Sequence, residues 1–402
     1  MIIIVTAPTV KMLKRFGSWL NSRRQFLFSW YTKDSQETQE PERSLVELPV
    51  EWKNKLVDQV ESLPSNPAEV EAIVSALDKA FDCWCEDPRN ADNSIVILSS
   101  PVTAVSRILS ETLGEWIESK QMSMRLLPLT ARLEDIELTK SKLEHYLKPQ
   151  CQSSNSGKPE SEVVIIPNLS WCFLRSLEGL SGIEYLRSLL CDNVEHRFWI
   201  IGSGQVSWEY LHSVCDLEAY CGKVYTLPEI EPEKLQEWLE PIVKDLNLTF
   251  DEPRIDKQLL EGEEDHQTHY FERLSSISRG VSTIAVQGFL KSIYYEEEET
   301  DPDDLTSKPQ NLVAQVPKLP DLPLLKSVDQ YLLYSFLLHG DLSIHALAES
   351  LGDDEAQVQA RVQILRRQGI VEQQGQVLKI NPIYYPQVKQ ELASNNFIIN
   401  RE

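Results

Sequence analysis

The residues best placed for chemistry lie in SIVILSSPVTAVSRIL, residues 94–109. An apolar run over Ile95, Val96, Ile97 and Leu98 ends in a small-residue turn. An amphipathic stretch follows, with Ile108, Leu109, Leu113, Trp116 and Ile117 on one face. This is the order of a phosphate-binding loop. Its glycines let backbone N–H groups close on phosphates, its Lys reaches the β and γ groups, and its Ser or Thr serves magnesium. Laid on GxxxxGK[ST], Ser99 and Ala104 take the glycine positions, Val105 the lysine position and Ser106 the hydroxyl position. Only the hydroxyl is kept. Ser99, Ser100, Ser106 and the dipole of the following helix remain as a vestigial pocket for an anion. Arg107 comes one residue late and is expected to point elsewhere.

The second requirement for phosphoryl transfer is an acid at the end of a neighbouring apolar strand, where it holds magnesium and orients water. In VVIIPNL those positions are Pro167 and Asn168, neither a carboxylate. Two catalytic elements are therefore missing together. After a third strand, IIGSGQVSWEYL places Ser203 and Gln205 where a polar side chain would face a γ-phosphate, and its GSG reads as a turn because GxGxxG spacing is absent. Arg279, at a helix entrance in SRGVSTIAVQGF, completes the candidate pocket. His212, His266 and His269 read as surface histidines, and Cys83-Trp-Cys85 lacks the further ligands of a metal site, so no metal is expected. The seven cysteines have no repeated CxxC and suit free thiols in a reducing compartment.

The elements that must position these residues follow from hydrophobic patterning. Apolar runs without alternation at 95–98, 124–129, 163–167, 197–203 and 223–230, with helical patterns between the earlier ones, indicate α/β architecture: a parallel sheet covered by helices on both faces. Two helices precede it over 51–82, separated by PSNPAE, where Ser65 and Asn66 can cap the second ahead of Pro67. The expected organisation is a basic, aromatic segment at 1–33, a linker at 34–50, the α/β domain at 51–230, a helical lid at 231–295, an acidic Pro-rich linker at 296–323, and a winged-helix domain at 324–402. The last rests on three helical patterns followed by VEQQG and QVLKINP as a hairpin.

The 402-residue chain carries a formal charge of −23, which argues against broad attraction to nucleic acid. The charge is uneven: residues 1–33 hold six basic and no acidic residues, whereas the other 33 basic and 62 acidic residues give −29. Within the basic segment Lys14, Arg15, Phe16, Trp19, Arg23, Arg24, Phe28 and Trp30 have the composition of an interfacial membrane contact, or of an arm meeting an acidic protein surface. No apolar run is long enough to span a bilayer, so the expected address is cytoplasmic, with peripheral attachment to the cytoplasmic face of a membrane as one setting.

With these motifs in hand, the chain over residues 50–395 resembles bacterial P-loop ATPases of the AAA+ and STAND type. The resemblance rests on the succession IVILSSPVTAVSRIL, VVIIPNLSWCFL, FWIIGSGQVSWEYL, YTLPEI, FERLSSISRG and the winged-helix tail. It implies a P-loop NTPase-like sheet, a helical lid and a C-terminal winged helix. Val105 in place of lysine, and Pro167 and Asn168 in place of acids, imply a degenerate member with no catalytic residues: a pseudo-ATPase, not an enzyme, needing no cofactor, with room for ATP or ADP to bind without turnover. The function expected is a regulatory or scaffold subunit that binds an active ATPase relative or a membrane protein. The alternative is a winged-helix DNA-binding regulator using Arg361, Arg366, Arg367 and Lys379. Against it, that helix opens on Asp353, Asp354 and Glu355, so nucleic acid is the less expected partner. An ATPase with an unusual loop is the lesser alternative.

Overall fold

The computed structural model describes residues 45–148, 161–192, 194–251, 266–296 and 312–399. In chain order they form β1 (Leu45–Glu47), α1 (Val50–Ser62), α2 (Pro67–Glu86), β2 (Ser94–Ser99), α3 (Val105–Lys120), β3 (Ser123–Leu126), α4 (Leu138–Leu147) and β4 (Glu162–Ile166). A short 3-10 turn at Leu169–Cys172 leads to α5 (Ser181–Leu190), β5 (Arg197–Gly204), α6 (Gln205–Cys215) and β6 (Lys223–Thr226). Next come α7 (Pro232–Asp245), β7 (Thr249–Phe250), α8 (His266–Ser278), α9 (Ser282–Ser292), β8 (Ile293–Glu296) and β9 (Leu312–Ala314). The C-terminal unit comprises α10 (Ser327–His339), α11 (Ile344–Leu351), α12 (Glu355–Arg367), β10 (Val371–Gln374), β11 (Val377–Ile380), a 3-10 turn at Pro382–Tyr384 and α13 (Tyr385–Ser394).

The main sheet is parallel throughout, in the order β3-β4-β5-β2-β6. The strand carrying the loop, β2, thus lies inside the sheet, between β5 and β6. It is buried along its whole length, as an unalternating apolar run requires when helices cover both faces. The close fit of the strand ends shows at Gly202, where a Cβ would come within 2.4 Å of the Pro167 carbonyl oxygen. Asn66 caps α2 by accepting from the Ala68 N–H at 2.9 Å, and Pro67 follows at the first helical position.

A second sheet, β1-β8-β9-β7, lies with α1 and the lid helices. Here the structure departs from the expected boundaries. β1 falls within the stretch read as a linker at 34–50, and β9 within the one at 296–323. Both have three residues, too few for an alternation to register amid polar sequence. α1, read as part of the α/β domain, buries Leu56, Val57 and Val60 in the lid's core. Ile293, Tyr294 and Tyr295, read as the end of a lid helix, form β8 instead, in keeping with the strand preference of aromatic and β-branched side chains.

The apolar interior therefore forms two cores. One joins the α/β body to the C-terminal unit, and the other joins α1, the lid and the second sheet. Helix α9 serves both: Ile284 belongs to the first, and Ala285, Phe289 and Leu290 to the second.

Candidate functional site

The loop after β2 closes on itself. The Thr103 N–H donates to the Ser100 carbonyl and the Val105 N–H to the Thr103 carbonyl, both at 2.9 Å, so two amides near the expected anion position are used internally. Ser99 is buried, and its hydroxyl points at the carbonyls of Ser100 and Thr103, 3.2 and 3.4 Å away. The Ser100 hydroxyl is enclosed with no partner among the described residues. Ala104 precedes α3 and supplies no side-chain cap, and Val105 and Ser106 are both buried in its first turn. Arg107 turns back along the helix: Nε donates to Glu111 at 2.8 Å and Nη2 to the Leu63 carbonyl at 2.6 Å.

Beside the loop, the end of β4 is given over to structure. Pro167 is buried, and the Asn168 carboxamide oxygen accepts from the N–H and hydroxyl of Ser170 at 3.0 and 2.8 Å, capping the 3-10 turn. Ser203 is buried at the end of β5, its hydroxyl 3.2 Å from the Gly204 carbonyl, and Gln205 opens α6. Arg279 lies on the exposed surface with a left-handed φ of 51°, just before Gly280 at φ 64°. The structure brings Ser99, Ser100 and Ser106 together at one end of the sheet. The lid reaches this loop through Thr283, whose hydroxyl donates to that of Thr103 at 3.3 Å.

Sequence reasoning missed Glu69. This residue of α2 is buried and accepts from the Ser282 hydroxyl at 2.8 Å, at the start of α9. Burial pushes its carboxyl up to about 7, with the Ser282 hydrogen bond opposing the rise. In sequence it is an acid in a first helical turn, where acids are common because of the dipole. Only its place in an apolar pattern hints at burial.

A second missed cluster holds the C-terminal unit on the body. Arg132 donates to the carbonyls of Ser170 and Phe173 on one side, at 2.6 and 3.0 Å, and to those of His339 and Asp341 on the other, at 3.2 and 2.9 Å. Burial brings its guanidinium down to about 10, still charged at neutral pH. Arg175 donates from its backbone N–H to Nε2 of His339 at 3.2 Å and from Nη2 to the Ser350 carbonyl at 3.0 Å. Burial, with Arg132 and Arg175 alongside, holds the His339 imidazole well below its ordinary range, so it accepts as a neutral ring. The Phe173 ring lies tilted at 55° to it, 4.9 Å between centroids, and the Ser207 hydroxyl donates to the Leu338 carbonyl. His339 and Arg132 are 207 residues apart, so no local motif marks the cluster.

Of the cations suggested for DNA, Arg361 donates from Nε to Asp329 at 3.0 Å, Arg366 donates to Gln363 at 3.2 Å and Lys379 stands 3.6 Å from Glu372. Arg367 is exposed. Lys14, Arg15, Phe16, Trp19, Arg23, Arg24, Phe28 and Trp30 lie outside the described residues. Among the described residues no cluster of His, Cys, Asp or Glu is arranged to hold a metal, and no helix is long and apolar enough to cross a membrane.

No protein-family model and no curated protein sequence matches the chain. Several solved structures are similar to it at low identity. A Holliday junction branch migration motor, RuvB of Thermotoga maritima, is 14% identical, with 82% of this chain and 96% of that one covered at a TM-score of 0.32. Cdc6p from Pyrobaculum aerophilum is 12% identical over 84% of this chain and 98% of its own, at a TM-score of 0.36. The ORC2 protein of Aeropyrum pernix, in ADPNP and ADP complexes, is 12% identical over 83% and 96%, at 0.36. The fold itself, a P-loop NTPase-like α/β arrangement, is read from the chain's own five-stranded parallel sheet and the helices that flank it. One expectation is corrected. The reading of no enzyme, drawn from Ala104, Val105, Pro167 and Asn168, does not stand, because four positions in one motif describe the loop and do not decide what the chain catalyses.

Proposed function

We propose that this chain is a regulatory or scaffold subunit that acts by binding other proteins, through a winged-helix unit fixed to a P-loop-like body. The observation that carries this is how the C-terminal unit uses its side chains. Arg361 and Lys379 are turned inward to Asp329 and Glu372, while apolar groups stay outside. Leu324, Val328, Tyr331 and Ile398 are among its exposed large hydrophobics. Val328 and Tyr331 are one turn apart on α10, and the Tyr331 ring lies 5.0 Å from that of Phe397, next to Ile398. A clustered apolar surface on a unit that turns Arg361 and Lys379 toward its own acids suits a protein partner better than a duplex. The candidates are an active ATPase relative or a membrane protein, with the basic aromatic segment of residues 1–33 as a second contact at the membrane surface.

The test is affinity capture from the native cell with the full chain and a Leu324→Ser/Val328→Ser/Tyr331→Ser variant of unchanged melting temperature. Partners retained by the wild type and lost by the variant are expected. Identical capture by both, or salt-sensitive duplex binding by the wild type, defeats the proposal.

A further inference from the structure

Helix α9 is where the two cores meet, and its first turn is held from two directions. Ser282 donates to Glu69 of α2 at 2.8 Å, and Thr283 donates to Thr103 of the loop at 3.3 Å. Just upstream the backbone is pinned as well. The Ile230 N–H donates to the Gly280 carbonyl at 2.9 Å, and Gly280 packs so tightly that a Cβ would lie 2.6 Å from Glu229 Cβ and the Ile230 nitrogen. The entrance of α9 thus presses on the body at α2, at the loop and at the segment after β6.

We infer that Glu69 and Ser282 form a latch that fixes the lid helix on the α/β body, and that proton uptake by Glu69 sets how tightly it holds. Glu69 is only 5% exposed and is the one acid in the contact. The elements that meet here bring few other charges. Arg107 and Glu111 of α3 pair with each other, and Glu229 and Arg279 lie exposed on the segments flanking Gly280. Among the described residues Glu69 makes no ion pair, and Ser282 is its hydrogen-bond partner. A carboxyl so placed favours its neutral form in the closed junction and its charged form once water enters.

The sign follows from linkage. The carboxyl has a folded value of about 7 against an ordinary 4.5. The latch is therefore fully engaged below the ordinary value, weakens as pH rises toward about 7, and stays at its weaker level above that. Within that window the open fraction is expected to rise by up to about tenfold per pH unit, the limit for one linked proton. The Thr103–Thr283 contact conveys the same opening to the loop, so lid position and loop geometry change together.

Amide hydrogen exchange of the full chain between pH 5 and pH 8, corrected for intrinsic rates, tests this. Residues 282–292 are expected to lose protection between pH 5 and pH 7 and then level off, while the central strand β5, at 198–201, holds its protection. In Glu69→Gln the profile becomes flat and protected, and in Ser282→Ala protection falls at every pH while the upper edge of the window moves to higher pH. A flat wild-type profile, a Glu69→Gln slope equal to the wild type's, or parallel loss in the central strand overturns the latch. Glu69→Gln keeps size and hydrogen bonding, so the test does not depend on a variant that misfolds.

Discussion

Two joints connect the α/β body to the rest of the chain, and they are built from different materials. At the C-terminal joint one apolar core runs across the boundary, and Arg132 bridges it with two carbonyls on each side. At the lid joint the two cores meet only at α9, where Ile284 enters the body's core, and hydroxyl contacts, Ser282 to Glu69 and Thr283 to Thr103, gather at the start of that helix. A guanidinium that satisfies four carbonyls is hard to replace with water, because opening the joint exposes a continuous core and strands several polar groups at once. Hydroxyl bonds exchange with water at little net cost. On this chemistry the first joint is expected to act as a fixture and the second as a hinge.

The largest effect that can break this comparison comes from Arg132→Ala. It leaves the carbonyls of Ser170, Phe173, His339 and Asp341 without their donor, at a cost of about 3–5 kcal/mol, the scale of losing one partner from a buried charged network. Arg132→Lys is expected to recover little, since a single ammonium lacks the planar fork that reaches both sides. Urea unfolding should show the C-terminal unit separating from the body in an earlier transition. A loss below about 0.5 kcal/mol would place this joint among ordinary surface contacts and remove the distinction between fixture and hinge.

The difference between the joints also explains what could be read from the chain. The five strands of the parallel sheet were legible because burial on both faces leaves an unalternating apolar run, as in Val163–Ile166 and Phe198–Ile201. Asn66 and Pro67 announced the start of α2 because capping is a local rule. The loop at Ser99–Ser106 was legible as a motif with departures, and its place at the end of an internal strand agrees with the sheet order. The joints were not legible. Arg132, Arg175 and His339 act across roughly 160–210 residues of chain, Glu69 passes for a dipole-favoured surface acid, and β1 and β9 are too short to show a period. The sequence displays what neighbours along the chain decide, and it conceals what the fold brings together from afar.

On the hinge side, Gly280→Ala is expected to have an intermediate effect. The residue sits at φ 64°, and a Cβ there would collide with the Ile230 nitrogen and Glu229 Cβ, both fixed by the segment after β6. The strain is expected to cost about 1–3 kcal/mol. Because the hinge is expected to open more easily than the fixture, the cost should appear as faster exchange in α8 and α9 and a lower melting temperature, with the Arg132 contacts intact. If Gly280→Ala instead loosens the C-terminal unit first, the joints are coupled and the contrast is too simple.

The smallest effect sharpens the comparison from outside both joints. Arg366 and Arg367 carry the same charge as Arg132, yet one reaches Gln363 on its own helix and the other is exposed at the end of α12. Nothing buried depends on them, so Arg366→Ala and Arg367→Ala should each change stability by less than about 0.5 kcal/mol. Their value is as a control on the cause: a stability loss tracking net charge would appear in all three arginine variants, whereas a loss tracking unsatisfied carbonyls would appear in Arg132→Ala alone. Repeating the three measurements in high salt separates the two further. Screening acts on exposed charges and leaves a buried guanidinium network nearly untouched, so only the small effects should fade.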